Sequence, residues 1–241
     1  MKRLICTFLL VFSGSLVFAK DFSISAGAGG ILGGLFTRYN LSADGADGKI
    51  DAAQKADQFN YGGFVFFDAA YAVFSVSFQN GHNKYLEKAG LLNATEDMRG
   101  KGWESMLGFS LLGKYPFKLN DRLTIFPLLG IEYQISLVQL RTDPDNGKIF
   151  RRTNDRIITT LKVTDWNSFF INVGGGVDFS LPKNFFLRGE LYCGFRLMTP
   201  YEKKNLEVMK VLTGDSKPKL GGITVVPAFR LSAGYRFYRN Y

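Results

Sequence analysis

The stretch that decides the fold is residues 222–238, GITVVPAFRLSAGYRFY. Its odd positions carry Ile223, Val225, Pro227, Phe229, Leu231, Ala233, Tyr235 and Phe237, and its even positions include Thr224, Arg230, Ser232, Gly234 and Arg236. Successive side chains of a strand point to opposite faces, so this period of two predicts a long strand with one apolar face and one polar, glycine-bearing face. The pattern repeats upstream. Phe185, Leu187, Leu191, Cys193, Phe195 and Leu197 oppose Arg188, Glu190, Tyr192, Gly194 and Arg196. From Trp166, Phe169, Ile171, Val173, Val177 and Phe179 oppose Ser168, Asn172, Gly174, Gly176 and Asp178. Leu123, Ile125, Leu129, Ile131, Tyr133 and Ile135 oppose Thr124, Gly130, Glu132, Gln134 and Ser136.

Four further segments alternate less regularly: residues 22–37, 61–68, 71–79 and 103–115. In the second the phase stays open, because Phe64, Val65, Phe66 and Phe67 are consecutive. The connections between these eight strands alternate in length. Residues 40–60, 80–102, 140–165 and 199–221 form long ones, and 69–70, 117–121 and 182–184 short ones. An up-and-down meander then carries its four long loops at one end and its short turns at the other, the layout of a transmembrane barrel with short periplasmic turns.

Composition agrees. The chain has 241 residues, 27 glycines against 7 prolines and 46% hydrophobic residues, with a mean hydropathy of −0.01. That is too apolar for a disordered chain and too polar for a bundle of membrane helices. The net charge of +9 selects no particular anionic partner. Residues 1–19 open with Lys2 and Arg3, run through an apolar segment and close on Val17-Phe18-Ala19, the pattern of an export signal cleaved after Ala19. The expected domains are therefore a signal peptide, 1–19, and one barrel domain, 20–241. Beyond Ala19 the only cysteine is Cys193, so no internal disulfide is expected.

In pattern the chain resembles the small eight-stranded outer membrane proteins, the group of the OmpA-type transmembrane domain, OmpX and OmpW. The resemblance rests on the meander and on the C-terminal end, where Leu231, Ala233, Tyr235 and Phe237 stay in phase before the aromatic Tyr241. It implies an all-β, antiparallel, up-and-down barrel in the outer membrane of a double-membraned bacterium. It also implies delivery by periplasmic chaperones to the barrel insertion machinery, which would read Leu231, Tyr235, Phe237 and Tyr241. OmpW-like proteins add a possible lateral route for small solutes through the wall.

Alternation alone leaves open which face is wet, since a soluble lipocalin-like carrier also alternates. Three features favour the membrane: glycines crowd the polar face, charges there are sparse and of both signs, and aromatics lie near the ends of the apolar face. The polar face then lines a lumen too narrow for a diffusive porin. Its charges, Glu104, Lys114, Glu132, Arg188, Glu190, Arg196, Arg230 and Arg236, are expected to pair, as a packed core or as a narrow gated channel.

Other candidate chemistry is thin. His82, the only histidine, opens a long connection, and no serine stands at a spacing that would make a lipid-hydrolysing site with it. No metal or other cofactor is expected; Asp44, Asp47, Asp51 and Asp57 do not have the spacing of a calcium loop. The glycine run 27–34 lacks a phosphate-loop ending and is read as lumen-facing strand. Arg151, Arg152, Arg156 and Lys162 make the third connection basic, too sparsely for nucleic acid. The expected role is structural, or binding of an external partner through the long loops, by a monomer in contact with outer membrane lipid. No enzyme activity is expected.

Overall fold

A computed structural model describes residues 23–45, 48–91, 94–142, 149–151, 167–197 and 218–239, with single positions at 203, 207 and 210. The expected signal peptide, Tyr241 and residues 152–166 lie outside the described residues.

Eight strands make one antiparallel sheet: β1 (Ser23–Gly45), β2 (Gly48–Ala69), β3 (Ala72–Leu91), β4 (Ala94–Lys114), β5 (Leu123–Thr142), β6 (Ser168–Ser180), β7 (Phe185–Arg196) and β8 (Lys219–Arg239). Each pairs with its chain neighbour, β4 pairs with β5 from Gly102↔Arg141 to Lys114↔Leu128, and β1 pairs with β8 from Ser23↔Arg239 to Ser42↔Lys219. That last pairing closes the sheet into a barrel and leaves no free edge along the matched strands. Two short segments, Phe117–Lys118 and Ile149–Arg151, add rungs to β5.

The three short connections fall at one end, as expected. Ala70, with φ 53°, takes the left-handed conformation in the turn between β2 and β3, and its N–H donates to Ser23 O at 2.9 Å. Lys183 and Asn184 (φ 59° and 65°) do the same between β6 and β7.

The opposite end departs from the expected strand limits. The first two long connections are built as hairpins: β1 and β2 stay paired to Gly45↔Gly48, and β3 and β4 to Leu91↔Ala94. Alternation fades there because water bathes both faces of a wall that rises above a bilayer, so hydropathy no longer separates inside from outside. A strand of 23 residues such as β1, rising ~3.3 Å per residue and tilted ~40°, stands roughly 55 Å tall, about twice a ~25 Å hydrocarbon band. β6 and β7, with 13 and 12 residues, stop far lower. Among the described residues the paired wall is tall from β1 to β5 and at β8, and low at β6 and β7.

Glycines set the bore. A Cβ on Gly27 would stand 2.6 Å from the Phe66 ring, whereas one on Gly63 would meet nothing closer than Gly29 O at 3.6 Å. Gly27→Val is therefore expected to destabilise the barrel by about 1–3 kcal/mol through overpacking. Gly63→Val, adding a strand-favouring side chain on the outer face, is expected to be neutral or stabilising. Urea midpoints of the two refolded variants against the parent check both; equal effects would contradict this placement of the faces.

Candidate functional site: the charged lumen

The phase left open at residues 61–68 is settled by pairing. Phe64, Phe66 and Asp68 turn inward and are buried, while Tyr61, Val65 and Phe67 turn outward. Along β7, Arg188, Glu190 and Tyr192 point inward and Leu187 and Leu191 outward. Over the part of the strands nearer the short turns the outer face is apolar: Leu191 is 65% exposed and Leu129 63%, while Arg188 and Arg230 are each 1% exposed. A soluble protein has these faces the other way round. Apolar wall outside, paired charges inside and a backbone ladder that closes on itself are what hydrocarbon demands. The chain is an eight-stranded transmembrane β-barrel.

The lumen is filled in layers. Nearest the short turns, the Arg188 guanidinium grips Asp178 with two bonds, Nε to Oδ1 at 2.6 Å and Nη2 to Oδ2 at 2.8 Å, and donates from Nη2 to Asp68 Oδ2 at 2.6 Å. Lys114 Nζ pairs with the same Asp68 oxygen. Arg236 donates to Ser180 Oγ at 2.9 Å and lies 3.6 Å from Asp178. Three rings enclose Arg188, with centroids of Phe66, Phe126 and Phe186 at 4.9, 5.1 and 5.2 Å. Stacked cations of this kind gain from the ring faces when water is excluded.

The next layer centres on Arg230, held between Phe64 and Tyr192 at 4.9 and 4.8 Å and donating to Ser75 Oγ at 3.2 Å. Glu132 lies 3.6 Å from it and accepts from Gln134 and Asn172 at 2.8 and 3.0 Å. Glu190 stands opposite Arg230 in register and 4.0 Å from Arg188, bridging the two layers. Above them the lining is largely uncharged, apart from Glu104 and Arg196. Gln58 donates to Asn60 at 2.7 Å, and Thr37 and Thr224 share a bond of 3.0 Å.

Six of the eight lumen charges expected from sequence thus meet: Lys114, Glu132, Arg188, Glu190, Arg230 and Arg236. Glu104 does not join them; it accepts from Ser136 at 2.8 Å and Gln139 at 3.0 Å. Arg196 lies higher, over the Tyr39 ring at 5.6 Å. Sequence reasoning missed Asp68, hidden by its strand's ambiguous phase; Asp178 was legible as a charge of the polar face able to pair there, and it is held by Arg188. Also missed were the inward aromatics, because alternation assigns phenylalanine to the lipid side.

The other candidates are placed as follows. Leu231, Tyr235 and Phe237 lie exposed on the outer face of β8. Near the short turns they belong to an aromatic band in which Phe185–Tyr235 and Tyr235–Phe237 centroids are 5.2 and 5.4 Å apart, and Tyr71–Tyr115 5.7 Å. His82 is not in a loop but on the outer face of β3, stacked on Tyr61 at 5.9 Å. Asp57 pairs with Arg38 at 2.6 Å, and Asp44 and Asp51 lie within β1 and β2. Of Arg151, Arg152, Arg156 and Lys162, Arg151 alone falls among the described residues, in a rung opposite Leu140. Among the described residues no group of three His, Cys, Asp or Glu is placed to hold a metal.

No family model and no curated protein matches the chain. Solved structures similar to it are outer membrane proteins. OprG from Pseudomonas aeruginosa is 13% identical, over 90% of this chain and 96% of that one, with a TM-score of 0.42. Neisserial surface protein A is 12% identical over 88% and 97%, at 0.35. Ail of Yersinia pestis, solved with the heparin analogue sucrose octasulfate, is 14% identical over 88% and 99%, at 0.31. The barrel assignment stands on this chain's own closure and inverted faces.

Proposed function

We propose that the protein is an exported, monomeric outer membrane barrel with a sealed lumen, whose role is structural or is binding of a partner at its raised external hairpins. The observation that carries this reading is the double layer of buried guanidinium groups: Arg188 crosses the bore clamped by Asp178, Asp68 and three rings, and Arg230 crosses it between two rings with Glu132 3.6 Å away. A solute would have to break a pairing that is costly to leave unmade. The N-terminal export pattern and the apolar outer wall support the outer membrane, where closed barrels replace spanning helices. The height of β1–β5 supports recognition outside the bilayer.

A lateral route through the wall finds less support. The β1–β8 ladder skips Gly34 and Leu35, opposite Pro227, which has no N–H to give. Behind that missing rung, however, Leu35, Val226 and Phe170 pack together as a buried cluster. His82, stacked on a tyrosine at the outer wall, supports no catalytic reading, and we take the chain to be non-enzymatic.

The test is conductance of the refolded chain 20–241 in a planar bilayer, beside Glu190→Ala. The expected result is folded insertion without discrete current in the parent. Losing the bridge between the arginine layers is expected to lower the urea midpoint of the variant. Steady single-channel current in the parent would overturn the sealed-lumen reading, and unchanged stability in the variant would remove Glu190 from the network.

A further inference from the structure

The outer wall carries a groove of about 580 Å³ crossing β1 where the ladder to β8 skips its rungs. Leu32, Phe36, Phe59, Leu191 and Phe229 line it, with Gly34 at its floor beside the Phe36 ring. It faces the hydrocarbon over most of its length. Its upper end is different: Lys84, His82 and Asp57 enter the lining there, Asp57 being held by Arg38.

Register shows what surrounds that end. One row around the barrel reads Gly34, Phe59, His82 and Trp103 on β1 to β4. Two residues further from the short turns the next outward row reads Phe36, Asp57, Lys84 and Lys101. Arg38 and Lys55 face each other across β1 and β2 just beyond it. Arg38, Lys55, Lys84 and Lys101 are exposed on the outer surface, and among the described side chains of these rows Asp57 is the carboxylate that offsets them, paired to Arg38 at 2.6 Å. An apolar slot thus runs up to a belt of aromatic rings and ends under a cluster of four cations against one carboxylate. Ring belts mark the interface of a bilayer, and cations just outside it attract anionic headgroups.

We infer that this groove is a binding site for one phosphate-bearing anionic lipid of the outer leaflet, with an acyl chain along Leu32, Phe59 and Phe229 and the phosphate at Lys84 and Lys101. The lipid is chosen by charge complementarity. A neutral amphiphile would use the slot but not the cations, and a soluble anion the cations but not the slot. Lysine supplies a compact, flexible charge suited to a phosphate monoester whose orientation varies. The missing rung at Pro227 gains a consequence here: glycine and proline at the seam keep the wall's outer surface low, so that a chain can lie against it.

This inference rests on the membrane-barrel reading. The test uses the refolded chain in phosphatidylcholine vesicles carrying spin-labelled phosphatidic acid or spin-labelled phosphatidylcholine, read as the fraction of label immobilised by the protein. Parent protein is expected to immobilise phosphatidic acid preferentially, and Lys84→Glu/Lys101→Glu to lower that preference about tenfold. Equal immobilisation of both lipids by the parent, or an undiminished preference in the folded double variant, would overturn the site and leave the barrel intact. A chain that fails to insert into vesicles, running without a heat-dependent shift on a gel, would overturn the membrane reading and the site with it. Arg38→Gln/Lys55→Gln provides a second variant should the glutamates impair folding; it is expected to weaken the preference in the same direction.

Discussion

Replacing Arg188 with methionine is expected to cost about 3–5 kcal/mol of barrel stability, the usual result of removing one partner from a buried ion cluster. The side chain is 1% exposed and makes three bonds to Asp178 and Asp68. Methionine fills much of the volume among Phe66, Phe126 and Phe186, so little of the loss comes from a cavity. What remains is two carboxylates in the bore with Lys114 and Arg236 as their remaining cationic neighbours. Removing one of those carboxylates as well, in Arg188→Met/Asp178→Asn, is therefore expected to recover part of the loss. Urea-dependent folding into vesicles, followed by heat-dependent gel mobility, measures both. A midpoint unchanged by Arg188→Met, or no recovery in the double variant, would mean that the cluster does not hold the lumen together.

Val173→Arg is expected to cost about 2–4 kcal/mol in a bilayer, the price of a guanidinium placed near the hydrocarbon midplane of a barrel wall. Val173 lies at the centre of β6, 46% exposed, flanked in register by Leu129 on β5 and Cys193 on β7. In a soluble barrel the same exposed site would accept arginine within about 0.5 kcal/mol. The variant thus separates a wall bathed in lipid from one bathed in water, without reference to any function. Placing the arginine instead at Leu197, one residue past the upper end of β7, is expected to reduce the cost to about 0–1 kcal/mol. Equal costs at Val173 and Leu197 would contradict the depth assigned to them.

The two substitutions probe opposite faces of strands that sequence reading treated alike, and they show where that reading ran out. Period-two alternation located β5 to β8 within a few residues, because hydrocarbon on one side and a polar bore on the other enforce it. It ended β1 to β4 too early, because above the bilayer both faces are wet. It also gave the outer face nearly every aromatic. Phe64, Phe66, Phe126, Phe170 and Phe186 sit inside instead, where the glycines leave room and the guanidinium groups need ring faces as well as carboxylates. Asp68 was illegible for a related reason. Its strand carries phenylalanine on both faces, so only pairing with β1 and β3 fixes its direction.

Sequence by itself determined the number of strands, the alternation of long and short connections, and the residue types available to each face, because these follow from local periodicity. Tertiary structure decided which charges meet. Asp68 lies 120 residues from Arg188 along the chain and Thr37 lies 187 from Thr224, and such pairs exist only once β1 closes on β8 and the inward side chains converge on one axis. Pairing of consecutive strands likewise set the cations of β1 to β4 in one outward cluster above a ring belt, an arrangement that depends on register between strands rather than on spacing within any of them.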